Sequence, residues 1–186
     1  MEQGLAHAMA AWANPPLVVY HGTDVATANV MSMGLRPSLA FCLPLTDFGQ
    51  GFYTTTRLHQ AKQWANTKVL RLRQANPAAG AAVIAYTLDR TLLARLASLT
   101  FVRESQDFWQ FVASCRSQHP PPHRFRGFTP PLYDAVHGPV TLWPQKLVIK
   151  DCDQLSFHTR RGLAILSRQG NPKLVSTATG NNGLFR

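Results

Sequence analysis

Short β-branched and aromatic runs alternate along this chain with segments whose apolar residues recur at helical spacing. Residues 17–20, Leu-Val-Val-Tyr after Pro15-Pro16, read as a buried strand that ends at His21-Gly22. Residues 24–33 suit a short helix closed by Gly34. In residues 58–74 the apolar positions Leu58, Ala61, Trp64, Ala65 and Val69 share one helical face, no Pro or Gly intervenes, and Lys62, Lys68 and Arg71 occupy the other face. Residues 81–88 read as a central strand, 90–99 as a helix, and 105–116 as a second amphipathic helix carrying Phe108, Trp109, Phe111 and Val112. A Pro-rich irregular loop fills residues 120–131. Late strands are predicted at 133–137, 147–149 and 155–158, followed by a helix over 160–168. The pattern as a whole predicts an α+β fold. Its domain is expected over residues 17–168, with an N-terminal extension (1–16) and a flexible, Gly-, Asn- and Thr-rich C-terminal tail (169–186).

Composition narrows the class. A chain of 186 residues has room for one domain, and 45% hydrophobic residues supply a proper core. The longest apolar runs, 17–20 and 81–86, fall far short of the ~20 residues that a membrane span needs. Glu2 and His7 argue against a secretory signal. The three cysteines, Cys42, Cys115 and Cys152, are widely spaced and show no metal-ligand pattern, so reduced core thiols in a cytoplasmic protein are expected, and no metal.

Three segments carry candidate chemistry. His21-Gly22-Thr23 ends the first strand, and a Gly there lets backbone approach a ligand closely. Asp47-Phe48-Gly49-Gln50-Gly51-Phe52-Tyr53-Thr54-Thr55-Thr56 has two glycines that bend the chain before an aromatic strand. Asp153-Gln154-Leu155-Ser156-Phe157-His158 alternates as a half-buried strand does. Singly, each also reads as an ordinary turn, hairpin or strand.

In order, the three segments resemble the ADP-ribosyltransferase superfamily, in the branch whose triad is His-Tyr-Glu and which includes diphtheria toxin and the poly(ADP-ribose) polymerases. His21-Gly22-Thr23 is similar to that branch's His-Gly-Ser, Gly34-Leu35-Arg36 to its Gly-Leu-Arg, and Phe48-Gly49-Gln50-Gly51-Phe52-Tyr53 to its Phe-Gly-Lys-Gly-Ile-Tyr. Gln60-Ala61-Lys62-Gln63-Trp64-Ala65 places Trp64 where the family has a second aromatic, and Gln154 stands in the glutamate's place. With Asp134-Ala135-Val136-His137-Gly138-Pro139, the set looks most like an uncharacterised bacterial family of that clan carrying Gln in the third triad position. The resemblance spans roughly residues 17–166.

The resemblance implies a split β-sandwich of two antiparallel sheets with flanking helices, and NAD+ held as co-substrate in the cleft between the sheets. It implies catalytic roles for His21, Tyr53 and Gln154, with His21 on a ribose hydroxyl and the Gly22 backbone on the nicotinamide carboxamide. Tyr53 and Trp64 would sandwich the nicotinamide ring, Thr23 and Arg36 would lie on the adenosine side, and Gly51 would belong to the same cofactor-binding set. A flat cationic ring does want aromatic faces. Two departures matter. Ala61 stands where the polymerases keep a serine, leaving a carboxamide hydrogen bond to Thr55 or another neighbour. Gln154 can hydrogen-bond a ribose hydroxyl but cannot take a proton or oppose positive charge as a carboxylate does. Two readings of Gln154 therefore stand. In one the transferase is active, with a strongly nucleophilic acceptor or with Asp151 or Asp153 as base, although strand alternation sends Asp153 to the opposite face. In the other the protein binds NAD+ without transferring it.

Charge bears on the acceptor. The chain has 19 Lys and Arg against 9 Asp and Glu, a formal net charge of +10. Arg71, Arg124 and Arg126, with Phe125 and Phe128 interleaved, suit a nucleic acid. The expected function is thus mono-ADP-ribosyl transfer from NAD+ with release of nicotinamide, onto nucleic acid with RNA favoured, in the manner of bacterial toxins of toxin-antitoxin or antiphage systems held by an acidic antitoxin or immunity protein. A protein acceptor and a lapsed NAD- or RNA-binding module are the alternatives.

Overall fold

A computed structural model describes residues 14–117, 133–167, 172–178 and 182–186. The chain runs β1 (Leu17–Asp24), α1 (Val25–Ser32), β2 (Phe52–Thr54), α2 (Leu58–Leu72), β3 (Ala81–Leu88), α3 (Arg90–Leu93), β4 (Ser98–Thr100), α4 (Gln106–Arg116), β5 (Ala135–Leu142), β6 (Leu147–Phe157), α5 (Arg160–Ala164) and β7 (Lys173–Thr177). These strands form a three-stranded sheet, β1-β3-β7, and a four-stranded sheet, β2-β6-β5-β4. All pairings are antiparallel except β4 with β5. The fold is α+β, a split sandwich of two mostly antiparallel sheets with flanking helices. Among the described residues no helix is long and apolar enough to cross a membrane.

Strand alternation sorts the core into three layers. Val19, Ile84, Tyr86 and Leu88 of the first sheet meet Phe52, Leu155 and Phe157 of the second, and this apolar filling holds the sheets together. Ala61, Ala65 and Val69 of α2 cover the other face of the first sheet. Phe108, Phe111 and Val112 of α4, with Phe48, cover the outer face of the second. Gly22 sits where β1 meets α2: a Cβ there would lie 2.0 Å from the Ala61 carbonyl oxygen and 2.7 Å from the Ala65 nitrogen. Only glycine allows that approach. Asp24 ends β1 and caps α1, accepting from the Thr27 nitrogen at 2.9 Å, and Gly34 at φ 113 closes the helix with Leu35 N–H on the Val30 carbonyl.

Several elements differ from the expectations. The helix over 90–99 stops at Leu93, because Ser98–Thr100 is drawn into parallel pairing with β5. The two late strands at 147–149 and 155–158 are one strand, β6, with a register shift opposite Pro139 to Thr141 and Asp151 at φ 55. The segment expected as a flexible tail supplies β7, paired with β3, while Asn66 of α2 binds the Phe185 backbone through both its amide groups. Of the cysteines expected in the core, Cys115 alone is buried, and Cys42 and Cys152 are half-exposed.

Candidate functional site

Among the described residues the backbones of the two sheets join at one isolated bridge. Tyr20 donates to the Thr55 carbonyl at 2.7 Å and Thr55 donates back at 2.9 Å, after which β1 and β2 diverge. In a continued antiparallel ladder the next hydrogen-bonded pair would join Gly22 to Tyr53. Instead the His21 ring enters the gap, donates its Nδ1–H to the Tyr53 carbonyl at 2.8 Å and stacks on Phe52, centroids 4.4 Å apart. A carbonyl can only accept, so the proton sits on Nδ1 and Nε2 carries the lone pair. Desolvation holds the imidazole at about 4, helped by the Lys68 charge and opposed by the Tyr53 carbonyl and Asp24. His21 is therefore neutral at physiological pH, and its Nε2 is an acceptor.

The same alternation aims the Gly22 backbone. Since Tyr20 turns its N–H and C=O toward β2, Gly22 turns its own to that edge, beyond the point where β2 has left. The edge is flanked by α2, which carries Trp64 half-buried one turn before Lys68. Lys68 donates to the Thr23 hydroxyl at 2.6 Å and pairs with Asp24 at 3.0 Å. Burial alone would raise the Asp24 carboxyl, but the Thr27 hydrogen bonds and Lys68 together hold it at about 2. Thr23 is thus buried and engaged, while Arg36, beyond Gly34, is exposed and makes no hydrogen bond among the described residues.

On the second sheet Tyr53 lies directly opposite Ser156, and Gln154 follows on the same face. The Tyr53 hydroxyl accepts from the Thr46 hydroxyl at 2.7 Å and the Phe48 nitrogen at 2.9 Å and donates to the Gly49 carbonyl at 2.8 Å. Burial pushes its phenol well above the usual range. The hydroxyl thus anchors the 46–49 turn, and the half-buried ring stands beside the gap. Gly51 packs on His158: a Cβ there would come within 2.7 Å of the imidazole. His158 in turn donates from Nδ1 to the Gln50 carbonyl at 2.9 Å and accepts from the Ser156 hydroxyl at 2.8 Å.

Gln154 is 4% exposed, and both hydrogens of its Nε2 are committed, to Asp47 Oδ2 at 2.8 Å and the Pro139 carbonyl at 2.8 Å. Asp47 is itself surrounded by donors: Arg116 Nη2 at 2.6 Å and Nε at 3.0 Å, and the Thr141 hydroxyl at 2.6 Å and nitrogen at 3.0 Å. The neighbouring Asp153 points away, as alternation required, and is held by the Thr55 hydroxyl at 2.6 Å, the Thr56 nitrogen at 2.8 Å and the Thr56 hydroxyl. Gln60 of α2 grips the Asp153 backbone at both ends, accepting its N–H at 3.0 Å and donating to its carbonyl at 2.7 Å. That amide imitates a neighbouring strand where β2 has departed. Asp151 is exposed in the irregular part of β6.

The bridge region sets the His21 ring on the Tyr53 backbone, with Gly22 next along β1 against α2, the helix that carries Trp64, and Gln154 two residues along β6 from the Ser156 that pairs with Tyr53. Composition and spacing assign Asp47, Gln60, Lys68, Arg116 and His158 no individual roles; the signal for Asp47, Gln60 and His158 was their place inside the quoted motifs. Among the described residues several of the basic side chains are engaged within the fold. Lys62 lies over the Phe185 ring, Arg73 binds the Ala79 and Asn182 carbonyls, Arg116 is spent on Asp47, and Arg71 is exposed on α2. Arg124 and Arg126 lie outside the described residues. A cavity of about 550 Å³ opens on the far side of the bridge, against Leu17, Thr56, Arg90, His137 and Leu155, and none of the candidate residues lines it.

No curated protein matches the sequence. A family model described as a protein of unknown function, DUF3990, matches residues 17–142, which run from the first residue of β1 to the last of β5 and stop short of Gln154. Over that span, most of its length, the chain belongs to the DUF3990 family.

Proposed function

We propose that this protein is a mono-ADP-ribosyltransferase that uses NAD+ as donor. The observation that carries the reading is the splayed bridge, where β1 and β2 part around a neutral His21 held on the Tyr53 carbonyl, the Gly22 backbone turns to the opened edge, and Gln154 lies two residues along β6 from the partner of Tyr53. A buried strand edge with an unspent donor and acceptor asks for a partner, and a primary carboxamide has the matching pair. Tyr53 and Trp64 offer ring faces to a flat cation. His21 Nε2 and Gln154 Oε1 are both acceptors, suited to ribose hydroxyls. The exposed Arg36 guanidinium suits a diphosphate.

NAD+ supplies a nicotinamide leaving group: the ribose C1′–nitrogen bond breaks, C1′ joins the acceptor's nucleophilic atom, and that atom's proton leaves to solvent. The chain's contribution is positioning and electrostatics. With Gln154 neutral and Asp153 fully engaged by Thr55 and Thr56, no carboxylate of this pair is free to draw that proton. A nucleophilic acceptor and a single transfer fit better than chain extension. The +10 charge supports a nucleic acid, RNA favoured, as that acceptor.

The test is incubation of the purified protein with adenylate-labelled NAD+ and separate RNA, DNA and protein pools, with nicotinamide measured in parallel. Label on RNA or DNA with equal nicotinamide release is expected. Label on protein alone overturns the acceptor, and no nicotinamide release under any condition overturns the transferase. Trp64→Ala, at a half-buried residue outside the three core clusters and without a side-chain hydrogen bond among the described residues, should cut release about tenfold or more. Unchanged release in that variant would remove the stacking role.

A further inference from the structure

We propose that Asp47 is the positioning residue of the site: it fixes the Gln154 amide with nitrogen inward and oxygen toward the gap, so that the third position works as a neutral acceptor and does not admit a carboxylate. The inference rests on the transferase reading for its functional consequence, and on geometry alone for its structural one.

The geometry is a matter of donors and acceptors. The Gln154 nitrogen faces two groups that can only accept, the Asp47 carboxylate and the Pro139 carbonyl, each at 2.8 Å. A glutamate in the same rotamer would set oxygen against both, with an acid beside an acid in a buried place. Arg116 does not relieve this, because its Nε and Nη2 are already on Asp47 Oδ1 and its Nη1 on the Leu45 carbonyl at 3.2 Å. The amide cannot flip either, since flipping would bring its oxygen to the same two acceptors. Gln154 Oε1 accepts no hydrogen bond among the described residues, and it is not sealed from solvent as the orphaned Tyr86 hydroxyl is. Asp47 thus acts at a distance of 107 residues in sequence, and its own position is fixed by Thr141 and Arg116. The Gln in place of Glu becomes a built feature of this site, matched to the Asp that begins the Asp47-Phe48-Gly49 motif.

The experiment uses the full chain as wild type, Gln154→Glu, Gln154→Met and Asp47→Asn/Gln154→Glu, read by thermal melting, by calorimetric NAD+ binding and by nicotinamide release. Gln154→Met keeps size and neutrality and should melt within a few degrees of wild type. Gln154→Glu should melt lowest, by about 5 °C or more below wild type. The double variant relieves the acid–acid contact, though the new carboxylate still faces the Pro139 carbonyl and the new amide faces the Thr141 N–H, so it should recover part of that loss and bind NAD+ about tenfold more tightly than Gln154→Glu. A Gln154→Glu variant that melts at or above Gln154→Met overturns the proposal even if the double variant fails to fold. So does a Gln154→Glu variant that binds and releases as well as wild type. If the wild type neither binds NAD+ nor releases nicotinamide, the transferase reading falls while the melting order still decides the role of Asp47.

Discussion

His21 is neutral in the fold because its ring is desolvated between Phe52 and the Tyr53 carbonyl, and that has a thermodynamic signature. Its folded value of about 4 lies below the 6.5 of the unfolded chain, so the unfolded state takes up a proton first as pH falls. Stability from this group is complete above pH 6.5 and is lost between 6.5 and about 4, with a slope of up to ~1.4 kcal/mol per pH unit. Denaturant titrations across that window should show the loss in wild type and a flatter profile in His21→Gln. Asp24 acts in a separate, more acidic window: its stabilisation is present above pH 3.8 and fades toward 2. Tyr86 makes the opposite kind of case. Its buried hydroxyl has no partner among the described residues, and burial raises its phenol well above the usual range. An unmet buried hydroxyl costs about 1–3 kcal/mol. Tyr86→Phe should therefore be neutral or stabilising by about 1 kcal/mol in chemical denaturation.

At the scale of elements, β1 and α2 form the rigid wall of the site, and their spacing depends on Gly22. Gly22→Ala forces the α2 backbone away from a Cβ at 2.0 Å, and should cost about 2–4 kcal/mol and abolish NAD+ binding, measured by melting and calorimetry. Elements with strong local patterns were legible in the sequence. β3 is a continuous apolar run, and α2 and α4 carry clear helical stripes. Elements decided by tertiary pairing were not. Ser98–Thr100 reads as the end of a helix until β5 lies beside it, and the polar stretch from Lys150 to Asp153 hides the continuity of β6. The site divides in the same way. His21, Tyr53 and Gln154 were singled out through motif resemblance, whereas the contacts that fix Gln154, Asp47 and Asp153 are made by side chains 69 to 107 residues apart, which no local pattern encodes.

Across the whole molecule, the C-terminal segment belongs to the first sheet. β7 covers the β3 edge, Phe185 is held by Asn66 and lies under Lys62, and Leu184 packs with the α2 layer. Deleting residues 172–186 should lower stability by about 2–4 kcal/mol and shift the melting curve accordingly, seen by circular dichroism; an unchanged curve would show that the segment is dispensable. The positive charge also changes meaning at this scale. Lys68 and Arg116 are paired with carboxylates, and Arg73 and Arg161 bind carbonyls of the fold, so these four cations have structural partners.

The amide of Gln60 has one more consequence. Where strands part company, their bared edges are templates for any extended segment of another chain, and natural sheets guard such edges. Here the β6 edge at Asp153 is stoppered by the Gln60 side chain and the Tyr53 carbonyl by the His21 ring, so of the parting strands it is the Gly22 edge that stays open. Two of the edges bared where the strands part are thereby closed by side chains of the same chain. Gln60→Ala, measured by light scattering on mild warming, should aggregate sooner than wild type even where its melting temperature falls only slightly.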